Sequence, residues 1–268
     1  MDKIRASSVN LSYKVTGSGP RKVVFINGLT MSLEGWYNQV PEFSKKYTVL
    51  TYDCRGQGSS DKPDSNYSQK IHADDLYELL KNTGFGNASI IGLSNGGMIA
   101  LHLALKYPKL PDALVLVDTC SHIDRQLELM IDSLIKTTHI GGNQLRYDVS
   151  LPLIFSDNFL QNNMDLIETM RESSIKINSP KAVINLALAT KEHDVRKELS
   201  NINVPTLIIV GDEDILIPIK YSMYLHDNIQ NSDMIIIENC GHVPPIEQPQ
   251  RFNEIAINFL ENVYSSKK

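Results

Sequence analysis

Cysteine is scarce in this chain, with three among 268 residues. Cys54, Cys120 and Cys240 are odd in number, far apart and outside any C-x-x-C spacing, so neither a disulfide framework nor a zinc site is indicated. They read as reduced, buried small hydrophobes. An excess of positive charge is also missing. Lysine and arginine number 26 against 31 acids, a net charge of −5, and this excludes the basic surface that phosphate backbones require. Nucleic acid is therefore not an expected partner. No segment approaches the ~20 consecutive apolar residues that cross a bilayer, and Met1 to Asn10 carries no apolar run behind its charges. The expectation is a protein without membrane contact that works in the cytoplasm. A phosphate loop, a dinucleotide fingerprint and metal-ligand spacing are lacking as well, so no cofactor and no metal are expected. There is no internal repeat or low-complexity tract.

What is present suits a globular core. Apolar residues make up 42% and charged residues 21%, and the length fits one α/β core carrying an insertion. Continuously apolar, β-branched runs at Val23 to Ile26, Val49 to Tyr52, Ser89 to Ile91, Leu114 to Val117, Thr206 to Val210 and Met234 to Ile237 read as strands buried on both faces. Helical patterns at Ile71 to Lys81, Gly97 to Tyr107, Ile219 to Asn228 and Arg251 to Val263 alternate with them. That alternation predicts an α/β fold with a mostly parallel sheet flanked by helices. Ile4 to Val15 alternates at period two and reads as an antiparallel hairpin or edge strand, which makes the sheet mixed.

From about Ser121 to Ser200 the pattern is helical only, with Ile123, Leu127, Met130, Ile131 and Leu134 at three- and four-residue spacing. So long a stretch without a strand exceeds one crossover helix. The reading is a core of residues 1–120 and 201–268 with a helical cap inserted at 121–200, against the alternative that these helices simply complete the core.

Gly92-Leu93-Ser94-Asn95-Gly96-Gly97 follows a buried strand and opens a helix. This is the setting a G-x-S-x-G turn needs, with the serine oxygen thrust out of a sharp bend and helix N–H groups beside it. A glycine-rich turn that merely tightens the junction is the bland alternative, and it predicts no matching histidine and acid downstream.

Four stretches resemble the α/β-hydrolase family: Phe25-Ile26-Asn27-Gly28, Asp53-Cys54-Arg55-Gly56-Gln57-Gly58-Ser59-Ser60, the serine turn, and Gly211-Asp212-Glu213-Asp214 together with Cys240-Gly241-His242. The resemblance covers most of the chain and is weakest in the inserted helices. Its order of serine, acid and histidine is the order that family uses.

Serine needs a base, and histidine titrates nearest neutral pH. Among seven histidines, His242 follows the last strand in a loop that resembles the family's histidine loop, including Glu247 and Pro249. His122 also follows a strand and is the rival, better placed to line a pocket. His72 and His102 fall in helical patterns, and His139 and His193 in the insertion. The acid that orients the imidazole has three candidates, Asp118, Asp212 and Asp214. The resemblance selects Asp214, leaves Asp212 to bond loop N–H groups, and puts Asp118 at an alternative acid position of some relatives. It also implies an oxyanion hole from the N–H groups of Leu29 and Asn95. Asn27 departs from the histidine usual there, which bears on how the loop is packed. Asp53 and Arg55, with Gly56 and Gly58, read as a structural ion pair and tight turn.

The resemblance implies a small-molecule hydrolase acting on a carboxylic ester, lactone or thioester through an acyl-enzyme. Acyl transfer, peracid formation or carbon-carbon cleavage by the same triad, and a non-enzymatic ligand receptor on the same fold, are the alternatives. Dehalogenase and epoxide chemistry are disfavoured, because those branches need aspartate where Ser94 stands. A cap would enclose a small, largely apolar substrate, with His122, Trp36, Met130 and Phe155 as candidate lining residues and Trp36 equally a packing residue.

Overall fold

The computed structural model describes residues 1–65 and 67–266. Eight strands, β1 (Asp2–Ala6), β2 (Val9–Thr16), β3 (Arg21–Ile26), β4 (Tyr47–Tyr52), β5 (Ala88–Leu93), β6 (Pro111–Val117), β7 (Thr206–Gly211) and β8 (Ser232–Ile237), form one sheet in the order β1-β2-β4-β3-β5-β6-β7-β8. β1 and β2 make the expected hairpin, and β2 joins β4 antiparallel. The remaining pairs, from β4·β3 to β7·β8, are parallel. The mixed, mostly parallel sheet is as the apolar runs implied.

Alternate side chains of the strands feed two cores, because successive residues of a strand point to opposite faces. On one face Val24, Ile26, Leu50, Ile90, Leu114 and Ile208 are buried. They pack with α2 (Gln69–Asn82), α3 (Asn95–Lys106) and α8 (Lys220–Asn228) through residues such as Leu79, Leu103 and Leu225. On the other face Val23, Phe25, Val49, Ile91, Val115 and Ile209 meet Phe43 of α1 (Val40–Phe43) and Phe252 and Leu260 of α9 (Pro249–Ser266). β5 and β7 are buried at every position. β8 departs from the expectation of two buried faces. It has a single neighbour, β7, and leaves Ile236 47% exposed, as an edge strand can.

Between β6 and β7 lie α4 (Arg125–Ile154), α5 (Asp157–Asn162), α6 (Met164–Ile177) and α7 (Pro180–Thr190). Three of them start on side-chain caps, with Asp124, Ser156 and Ser179 accepting from the N–H groups of Leu127, Phe159 and Ala182. Such a cap contributes about 1 kcal/mol. Ile123 precedes the first helix, so the apolar stripe begins at Leu127. α4 is kinked at Gly141 and Gly142; Gly142 has φ 64° and ψ −158°, a conformation side chains rarely tolerate. The two ends of this helical segment are stitched together. His122 pairs antiparallel with Asp194, Ile123 N–H donates to His193 O at 3.1 Å, and Val195 N–H to Ser121 O at 2.9 Å. His193 Nε2–H donates to Cys120 O at 3.0 Å, which leaves Nδ1 to accept from His102 Nε2 of α3 at 3.1 Å. All three cysteines are buried and free. Among the described residues no helix is long and apolar enough to cross a membrane.

Candidate active site

Parallel strands deliver their following loops to one edge of the sheet, and the candidate residues come from four of those loops. At the end of β5 the chain turns straight into α3. Ser94 sits in that turn at φ 53° and ψ −116°, held by its N–H on Val117 O at 2.8 Å and by Thr119 Oγ1–H on its own carbonyl at 2.7 Å. A non-glycine residue held there stores on the order of 1–3 kcal/mol of strain. The flanking glycine at 96 is required by contact: a Cβ there would lie 2.3 Å from Ile26 O.

The loops after β7 and β8 bring Asp214 and His242 together. His242 Nδ1–H donates to Asp214 Oδ2 at 2.8 Å, and both residues are buried. Asp214 Oδ1 accepts the N–H groups of Leu216 and Ile217, each at 2.9 Å, so the carboxylate cannot swing away. With Nδ1 committed as donor, Nε2 is left as the acceptor, the tautomer a general base requires. No hydrogen bond joins the Ser94 hydroxyl to His242 among the described residues. Asp212 bonds a loop N–H, that of Cys240, at 3.3 Å. Glu247 fastens the histidine loop, accepting from Gly241 N–H at 3.1 Å and from Ser156 Oγ–H at 2.6 Å, and burial pushes its carboxyl up. His242 N–H donates to Ile154 O at 2.7 Å, tying that loop to the end of α4.

Asp118 also stands here. One ligand atom each from Asp118, Asp214 and His242 lie within 4.8 Å of one another, the only such metal-compatible group among the described residues. The facing Asp214 and His242 atoms are spent on their mutual hydrogen bond, so the group fits an imidazole–carboxylate pair backed by a second carboxyl better than an ion's ligand set. Asp118 is fully buried, accepts from Gly211 N–H at 3.0 Å, and has a carboxyl held well above the usual range by burial and then by the Asp214 charge. His122, the rival base, is seated at the neck of the helical segment instead, its ring 6.0 Å from that of Tyr221 and 5.6 Å from that of Tyr224.

The loop after β3 carries Leu29. Gly28 O is held by Gln57 Nε2–H at 2.7 Å, and Thr30 O by Asn178 Nδ2–H at 2.8 Å from beyond α6. Asn27 supports the loop from below, donating to Tyr52 O at 3.0 Å and accepting from Trp36 Nε1–H at 2.8 Å. The loop is therefore well packed despite the absent histidine. Asn95 opens α3, so its N–H has no intrahelical partner. Trp36 is fully buried against Phe25, and Phe155 stacks on Phe159 with 5.2 Å between rings. Met130 packs on the cluster of Met98, Cys120, Leu127, Ile217 and Tyr221.

One expectation is corrected. Arg55 is paired with Asp75 of α2, at 2.7 Å from Nε and 2.8 Å from Nη2, and not with Asp53. Asp53 instead accepts the N–H groups of Leu33 and Ser59, each at 2.7 Å. A carboxylate twenty positions on, in a helix, gave no sequence signal of this pairing, and neither Gln57 nor Asn178 could be singled out as loop supports. Two surface hollows, of about 650 and 470 Å³, include none of Ser94, Leu29 and Asn95.

The sequence profile of the α/β hydrolase fold matches residues 22–249. The chain is 27% identical over 254 residues to 3-oxoadipate enol-lactonase 2 of Acinetobacter baylyi, covering 94% of this chain and 93% of that one. Among solved structures it is similar to an α/β hydrolase enzyme from a Medee basin deep-sea metagenome library, with a TM-score of 0.91, 30% identity and 97% of each chain covered. It is also similar to a thermophilic esterase from Thermogutta terrifontis, with a TM-score of 0.90, 26% identity and 98% of each chain covered.

Proposed function

The chain belongs to the α/β-hydrolase family as a hydrolase of that fold, and on that premise we propose that it cleaves a carboxylic ester or lactone of a small molecule with Ser94 as nucleophile, His242 as base and Asp214 as orienting acid. The observation that carries this reading is the 2.8 Å bond from His242 Nδ1 to Asp214 Oδ2, together with a serine held at φ 53° between a buried strand and a helix. That bond leaves Nε2 free to accept a proton and stabilises the imidazolium once the proton arrives.

The reaction runs in two halves. Ser94 Oγ attacks the acyl carbon while His242 Nε2 takes the hydroxyl proton, and the carbonyl oxygen becomes an oxyanion held by the N–H groups of Leu29 and Asn95. Collapse expels the alkoxide, which takes the proton from His242 and leaves an acyl-Ser94. Water, deprotonated by the same imidazole, then releases the acid. Each oxyanion donor contributes about 2.7–4 kcal/mol to such a step. The likeness to an enol-lactonase and an esterase supports an oxygen leaving group, which in a lactone stays attached to the product.

Residues 121–200 act as a cap on the core of 1–120 and 201–268. The reading draws on the contacts that lay this segment across the catalytic loops, Asn178 on Thr30 and Ile154 on His242. A substrate enclosed in this way is small, and water excluded from it strengthens the electrostatics of acyl transfer. The test is turnover of a panel of short 4-nitrophenyl esters, lactones and thioesters by the full chain and by Ser94→Ala, with products analysed in the presence and absence of an alcohol acceptor. Hydrolysis of esters or lactones that Ser94→Ala abolishes supports the reading. Activity retained in Ser94→Ala, or transfer to the alcohol as the main reaction, contradicts it.

A further inference from the structure

The second half of α4 carries a feature that the proposed chemistry does not use. Asn143, Arg146, Tyr147 and Ser150, spaced one helical face apart, are its buried positions. Tyr147 on that face joins the apolar cluster of Phe25, Trp36, Leu93 and Val243. Arg146 is only 5% exposed, and its Nε and Nη2 are sealed from solvent with no hydrogen-bond partner among the described residues. It enters no ion pair among them, and burial pushes the guanidinium below its usual range, opposed only by the Tyr147 hydroxyl.

A buried, uncompensated guanidinium is strongly unfavourable unless something of opposite charge meets it. Two contacts locate it. One turn before it, Asn143 Nδ2–H donates to Asn178 O at 2.7 Å, and Asn178 in turn holds Thr30 beside the candidate oxyanion donor Leu29. Two turns after it, Ile154 O accepts from His242 N–H. Arg146 thus lies on the inward face of a helix that runs between the oxyanion loop and the histidine loop. Its free atoms are also the right pair. Nε–H and Nη2–H form the parallel edge of a guanidinium that grips both oxygens of a carboxylate. Arg55 shows this edge satisfied within the same chain, Nε on Asp75 Oδ2 and Nη2 on Asp75 Oδ1.

We propose that Arg146 is the anchor for a free carboxylate on the substrate, so that the site takes small anionic esters or lactones rather than wholly apolar ones. This rests on the reading of Ser94 as nucleophile and names the substrate class of that site. A planar carboxylate gripped by Arg146 fixes the distance from the anion to the acyl carbon at Ser94, and this selects acyl chains by length as well as charge.

The test compares two esters of equal acyl length, 4-nitrophenyl glutarate monoester and 4-nitrophenyl pentanoate, on the full chain, Arg146→Met and Arg146→Lys, with background hydrolysis measured on Ser94→Ala. The full chain has the higher kcat/KM for the glutarate monoester. Arg146→Met lowers that preference on the order of 100-fold, chiefly through KM, and Arg146→Lys keeps part of it. Glutarate itself raises the Tm of the full chain and of Ser94→Ala but not of Arg146→Met. Because Arg146→Met removes an unpaired buried charge, its Tm without ligand is at or above that of the full chain. No preference for the anionic ester, a preference unchanged in Arg146→Met, or a lower unliganded Tm overturns the anchor; if both esters are still hydrolysed, the Ser94 reading stands. Turnover of neither ester, with a glutarate shift that Arg146→Met abolishes, supports the anchor and contradicts the hydrolase reading.

Discussion

The sheet core and the helical segment between β6 and β7 are built on different terms. β5 and β7 are buried at all positions, and α3 exposes little beyond its last turn. In the segment, α6 buries only Ile167 among its 14 residues, Ile140 is 80% exposed, and α4 breaks at two adjacent glycines. The core holds Ser94 and Asp214 by backbone hydrogen bonds in tight loops and His242 through Asp214; the segment reaches those loops through a few stitches, at Thr30, His242 and Glu247, and reaches α3 at His102. Reaction geometry needs the first kind of construction, because ångström displacements are costly to catalysis. Substrate selection can be placed on the second kind, which opens locally at low free energy.

The largest effect that sharpens this contrast separates two carboxyls of the core. Asp214→Asn removes the acceptor that sets the imidazole tautomer and lowers kcat by about 10⁴-fold. Asp118→Asn, which keeps an acceptor for Gly211 N–H, changes kcat by less than about tenfold, since Asp118 makes no bond to the imidazole. Steady-state kinetics on the two purified variants, each with an unchanged circular dichroism spectrum, checks this. Reversed magnitudes would move the acid to the end of β6.

A second comparison concerns arginines, one from each region. Arg55→Met leaves Asp75 buried without its partner, with both side chains only 2% exposed, and destabilises by about 3–5 kcal/mol in urea titration. Arg171→Met in α6 breaks contacts to Asp148 and Glu168, which are 45% and 55% exposed, and changes stability by less than about 1 kcal/mol. Equal effects at the two sites would remove the distinction between a packed core and a loosely attached segment.

The core was legible in the sequence because its strands read as uninterrupted apolar runs, even β8 at the half-exposed edge, and because each candidate loop follows such a run directly. Ser94, Asp214 and His242 occupy the loops expected of them for that reason. The segment was legible only in outline. Its stripe of Leu127 and Met130 announces helices, but an amphipathic period does not reveal a kink at Gly141 and Gly142 or which face meets the core. Arg146 passed unnoticed because a single arginine in a helical pattern reads as a solvated surface residue. Arg55 was read with the nearest acid in sequence, whereas its partner arrives from a helix that tertiary packing brings alongside.

The smallest effect lies at the joint between the two regions. Burial pushes His102 and His193 down to about 4 and about 3, from an unfolded value near 6.5. The unfolded chain therefore binds protons that the folded chain refuses, and stability is lost as pH falls from 6.5 toward those folded values. Between pH 6.5 and 5.5 the loss is about 1 kcal/mol per histidine. Denaturant midpoints against pH for the full chain and His102→Gln test this, the variant showing the shallower decline. An equal or steeper decline in His102→Gln would mean that the pair is not buried as neutral imidazoles.

The most direct measurement of the central claim is labelling by a fluorophosphonate probe, followed by intact mass and peptide mapping. If serine, imidazole and oxyanion donors are assembled on the sheet edge, one equivalent of probe adds to the peptide containing Ser94, labelling falls sharply in Asp214→Asn, and Ser94→Ala takes up none. An adduct on another residue, or equal uptake by Ser94→Ala, contradicts the account.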